Sequence, residues 1–197
     1  MTRLLPRRMT ASLLIALAAV GPRASAQEPF TSGDAAFMQG MIHHHSQALV
    51  MAAMATTHGA SARVQLLCKK IALSQRDEIG FMRVWLQYRK QEVPDTAPHS
   101  MVMDMPGMDM NMPGMLTEAQ MKALDGARGV KFDSLFLVGM IQHHRGALKM
   151  VDDLVHHPPS GQESEIFRFV SDVDADQRAE IDVMQQMLYN LPRSSAP

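Results

Sequence analysis

The chain has 197 residues and a formal net charge of −1, with 19 methionines, nine histidines, one cysteine and one tryptophan. That length suits a single domain with a sizeable core. A near-balanced charge without basic runs excludes nucleic acid and anionic membrane as default partners, and the lone Cys68 excludes an internal disulfide framework.

Residues 1–26 read as a secretory signal peptide. Arg3, Arg7 and Arg8 precede the apolar run ASLLIALAAV, and ASA at 24–26 offers a small-residue cleavage site. The run falls well short of the roughly 20 residues a membrane span needs; an uncleaved anchor is the competing reading. Cleavage before Gln27 removes four arginines and leaves 15 basic against 20 acidic residues, a net charge of −5. The expectation is a periplasmic or secreted protein with no membrane span after cleavage.

Residues 27–92 form the first of two similar units. DAAFMQGMIHHHSQALVMAAMATTH (34–58) matches DSLFLVGMIQHHRGALKMVDDLVHH (133–157) at 11 of 25 ungapped positions, and QRDEIGFMRVWL from Gln75 matches QRAEIDVMQQML from Gln177 at six of twelve. In the first segment Phe37, Met41, His44, Ala48, Met51 and Ala55 share one helical face; Phe136, Met140, His143, Ala147, Met150 and Leu154 do so in the copy. The partner segments place Val64, Cys68, Ile71, Gln75, Ile79, Met82 and Leu86, or Val170, Val173, Gln177, Ile181, Met184 and Leu188, on an inner face. Asp34 and Asp133 read as N-caps or first-turn acids, and THGAS and HHPPSGQ as turns. Each unit is therefore an antiparallel helical hairpin, and two hairpins with one apolar face each dock as a four-helix bundle. The fold class is all-α and the chain one bundle domain.

Residues 93–130 connect the hairpins. The stretch VPDTAPHSMVMDMPGMDMNMPGMLT holds four prolines and two glycines and carries Met101, Met103, Met105, Met108, Met110, Met112 and Met115. Proline rules out a continuous helix, so a mobile, disordered Met-rich connection is expected. Methionines spaced MxM or MxxM can fold thioethers around a soft cation, with His99 in reach. Residues 131–191 are the second hairpin, and 192–197 a tail.

The helical segments put imidazole, thioether and carboxylate at one height, and a buried polar layer is unfavourable unless its members satisfy one another or a ligand. The sulfur content points to copper, particularly Cu(I). His44 and His143 read either as core histidines bonded to Gln or Glu, or as ligands. His45 and His144 fall about 100° around each helix, at the edge of the face, open to solvent or metal. His43, glutamine in the copy, reads as a solvated residue or a surface ligand. Met41, Met140, Met51 and Met150 are packing residues or ligands, with Met82 and Met184 behind them. Glu78 and Glu180 either orient the histidines, ligate directly, or form ordinary salt bridges. Helix-dipole and turn preferences account for His58 and His157. Cys68 aligns with Val170 and reads as core packing.

At the GMIxHHxxAxxM cores (40–51 and 139–150) and the EIxxM helices (Glu78 to Met82, Glu180 to Met184), the chain resembles the small exported His/Met-rich proteins of the domain of unknown function 305 family. The resemblance spans roughly residues 30–191. It implies a ferritin-like bundle and periplasmic copper binding associated with copper tolerance. A non-catalytic copper buffer or chaperone is the first expectation, with a copper transporter or oxidase as partner and hairpin exchange into a homo-oligomer left open. The alternatives are a ferritin-like metal-dependent oxidase, disfavoured by a ligand set poor in carboxylate, and a partner-binding bundle whose methionines only pack.

Overall fold

The computed structural model describes residues 29–95 and 112–192. The signal-peptide segment, His99, Met101, Met103, Met105, Met108 and Met110 lie outside the described residues. Among the described residues there are five helices: α1 Ser32–Met54, α2 Ala62–Tyr88, α3 Glu118–Asp125, α4 Gly129–Val155 and α5 Ser164–Tyr189. The four long ones are the two hairpins, and no helix is long and apolar enough to cross a membrane among the described residues.

The repeat dictates the packing. α1 lies against α2 and α4 against α5, while α1 and α4 meet across the centre of the bundle. Gly40 faces the end of Met150 and Gly139 faces the end of Met51, so α1 and α4 run antiparallel. Thr31 and Asp34 close a capping box at the start of α1. Asp34 also reaches beyond its own helix, because its Oδ1 accepts from the Gly161 backbone N–H at 2.7 Å, in the turn of the other hairpin. Its repeat mate Asp133 accepts from the Ser61 N–H at 3.2 Å, in the turn of the first. Each hairpin's aspartate thus secures the opposite turn.

The inner faces anticipated by the periodicity are buried, with two exceptions. Met150 and Leu188 are half-buried. Cys68 is in the core, where burial and the nearby Asp133 carboxylate push its thiol up to about 12, as a packing role requires. The connection holds a helix the periodicity did not reveal. α3 begins at a capping box formed by Thr117 and Gln120, and His58 ties its last turn to α1 by donating from Nε2 to the Asp125 carbonyl at 2.9 Å.

Candidate metal centre

The apolar core divides into two clusters. One contains Ala48, Ile71, Met140, Ile181 and Met184; the other contains Met41, Ile79, Met82, Ala147 and Val173. Along every long helix the switch from one cluster to the other falls on a polar residue: His44 and His45 on α1, Gln75 on α2, His143 and His144 on α4, Gln177 on α5. All six are 0–1% exposed. A polar layer therefore crosses the middle of the bundle, with Met41 and Met82 on one side and Met140 and Met184 on the other.

His44 and His143 stack at its centre, ring centroids 3.8 Å apart and planes tilted 38°. His44 Nε2 donates to the Pro113 carbonyl at 3.0 Å and His143 Nε2 to the His44 carbonyl at 2.9 Å. A carbonyl only accepts, so both Nε2 atoms carry the proton. Burial, reinforced by the neighbouring imidazoles, lowers the pKa of His44 to about 3 and that of His143 well below its ordinary value. Both rings are neutral at pH 7, and each Nδ1 is a bare lone pair, buried and without a hydrogen-bond partner.

His45 and His144 depart from the sequence expectation. They sit inside the bundle, not at its edge, because α1 and α4 each pack against two long helices and bury a wider arc than one face. His45 Nε2 pairs with Glu78 Oε2, and His144 Nε2 with Glu180 Oε2 at 2.6 Å. Each glutamate thus pairs with a histidine of the neighbouring helix. The Nδ1 atoms of His45 and His144 are also buried and unpartnered, as are the Gln75 amide and Gln177 Oε1. Imidazoles held by a carboxylate or carbonyl on one nitrogen and free on the other have the form of metal-ligating histidines. Among the described residues no three His, Cys, Asp or Glu side chains converge on one ion position. The donors this layer and its flanks could offer a cation are therefore imidazole nitrogens and methionine thioethers, a soft set.

Sequence reasoning also missed the strap. Residues 112–116 do not form a loose end but run across α1 and α4 over the histidine layer. The Gln47 amide clamps Leu116, donating to its carbonyl at 3.0 Å and accepting from its N–H at 2.8 Å. Gln142 Nε2 donates to the Met115 carbonyl at 3.2 Å. Gly114, at φ +75°, presses on Gly146, where a Cβ would come within 2.0 Å of the Pro113 oxygen. The sequence signs were two pairs of unlike residues at equivalent positions of the repeat, Gln47 with Gly146 and His43 with Gln142. Met115 is buried under the strap and Met112 half-buried at its start. Outside the layer, Asp77, Glu78, Asp172 and Asp176 line a groove between α2 and α5. Burial and the nearby Glu78, Glu180 and Asp172 carboxylates raise the Asp176 pKa.

The family model described as domain of unknown function (DUF305) matches residues 34–188, which includes both histidine helices and both glutamate helices. The chain belongs to the DUF305 family. A DUF305 fragment from Deinococcus radiodurans superposes with a TM-score of 0.69 at 29% identity, covering 83% of this chain and 99% of that one. A DUF305 protein from Streptomyces coelicolor does so at 0.66 and 29%, covering 84% and 96%. CopM in its Cu(I)-bound form gives 0.60 and 28%, covering 84% and 100%, and CopM is also solved in Cu(II)-bound and Ag-bound forms. Among curated proteins none matches the chain.

Proposed function

We propose that this DUF305 protein binds copper, chiefly as Cu(I), in the histidine–methionine layer of its bundle, and that it serves as a non-catalytic buffer or chaperone in the periplasm. The observation that carries this is the set of four buried Nδ1 atoms, on His44, His45, His143 and His144, left without hydrogen-bond partners in the middle of the bundle. Orphaned buried acceptors are unfavourable by about 1–3 kcal/mol each, which a bound soft cation removes. Neutral imidazole and thioether suit Cu(I) and Ag(I), and the bound forms of CopM at 28% identity support the same assignment. Carboxylates on the groove wall concentrate cations outside Glu78. A di-iron oxidase is disfavoured because Glu78 and Glu180, the carboxylates that reach the layer, are each engaged by a histidine.

The test is to load the purified protein with copper under reducing conditions, remove loosely held ions and count the rest. At least one tightly held ion is expected, lost when Met41, His44, Met140 and His143 are replaced together. Less than one ion, unchanged by that replacement, would end the assignment.

A further inference from the structure

The duplication supplies an internal comparison at the two ends of the strap. Two methionine side chains come together beside Gly40: Met112 Sδ and Met150 Cε each lie 3.6 Å from where a Cβ would stand. His43, three residues on, shares that side of α1, and helical side chains lean back over the preceding turn. Its Nδ1 is buried and has no hydrogen-bond partner.

The equivalent position in the second hairpin is built from the same helix positions but different chemistry. Around Gly139 the strap contributes Leu116, whose Cδ2 is 2.9 Å from the built Cβ, and the opposite helix contributes Met51 Cε at 3.3 Å. The mate of His43 is Gln142, and its amide is engaged by the strap carbonyls of Gly114 and Met115. One end of the strap thus carries thioether, thioether and an unpartnered imidazole. The other carries one thioether, an isobutyl group and an occupied amide. Packing alone is served by the second arrangement, so the first needs another reason.

The geometry points to a second soft-cation site at Gly40, formed by Met112, Met150 and His43, that takes Cu(I) or Ag(I) separately from the histidine layer. This rests on the soft-metal reading of the bundle and extends it. Three neutral donors of this kind suit a low-coordinate d10 cation and are poor ligands for Mg2+ or Ca2+. Met112 is bonded to Pro113, whose carbonyl holds His44, so the site stands at the junction of the Met-rich connection and the buried layer.

The experiment is an Ag(I) titration of the protein carrying 13C-methyl methionine, read by NMR and by counting retained silver. One variant gives the Gly40 end the side chains of the Gly139 end, Met112→Leu with His43→Gln; the other, Met150→Leu, removes the remaining thioether. In the unaltered protein the Met112 and Met150 methyl signals are expected to shift together. Both variants should retain one silver ion fewer, with Met41 and Met140 still responding and metal-free melting little changed. If the variants keep the full complement of silver, or Met41 and Met140 shift while Met112 and Met150 stay put, the Gly40 site is overturned and the bundle reading stands. If no methionine responds and no silver is retained, the soft-metal reading itself falls.

Discussion

The two hairpins agree where they face each other and differ where they face the strap. His44 and His143, His45 and His144, and Glu78 and Glu180 occupy matched places in one polar layer, with Met41 and Met140 on its opposite sides. Gln47 and Gly146, or His43 and Gln142, share a helix position yet treat the strap in opposite ways, one gripping its backbone and the other making room or staying free. The matched pairs lie in, or flank, the layer that the two hairpins share. Pairs that diverge are set by a single segment, which cannot be symmetric with itself.

Acid should test the matched pair most severely. His44 and His143 are neutral in the folded protein, so the unfolded chain binds more protons below the ordinary histidine pKa of 6.5. Their contribution to stability is complete above pH 6.5 and is lost as pH falls towards the folded value, about 3 for His44. Each imidazole should lower the unfolding free energy by roughly 1 kcal/mol per pH unit in that window. Denaturant titrations of the metal-free protein between pH 7 and 5 check this. Replacing either His44 or His143 by asparagine should halve the slope; unequal effects would mean that the two halves are not equivalent.

Truncating the flanking methionines comes next. Met41→Ala and Met140→Ala each empty a fully buried position and should destabilise by about 2–5 kcal/mol. Similar losses in chemical denaturation would sharpen the symmetry, and a gap of several kcal/mol would break it.

The strap predicts a smaller, two-sided effect. Gly146→Ala drives a methyl into the Pro113 carbonyl, at an overpacking penalty of about 1–3 kcal/mol. Gln47→Ala strands the buried Leu116 N–H and C=O at about 1–3 kcal/mol. Both should speed amide exchange at Leu116, and they should do so non-additively, since they act on the same five residues. Glu78→Gln and Glu180→Gln should weaken Cu(I) binding by roughly 10–100-fold through loss of histidine orientation. Competition with a Cu(I) chelator would show whether the two carboxylates are equivalent.

The helical faces were legible because hydrophobic spacing reports the arc a helix buries, and Phe37, Met41, His44 and Ala48 obey it. That rule fails for His45 and His144. A helix touching two neighbours buries an extra strip, which its own sequence does not declare, and the clue was only that the HH pair recurs. The strap escaped notice because Pro113 and Gly114 looked like breakers of structure, whereas here they let backbone approach a helix glycine closely enough to reach His44. α3 had a readable start in Thr117 and Gln120, but at eight residues its periodicity is too short to speak.

The crossed aspartates make neither hairpin self-sufficient. Asp34 holds Gly161 and Asp133 holds Ser61, so a lone half would leave its own turn unsecured and its aspartate without that cross-hairpin bond. A chain severed between the halves should reassemble from its two pieces, and two molecules trading halves would forfeit none of these bonds. The architecture therefore guards the pairing of unlike halves without specifying which molecule each one came from.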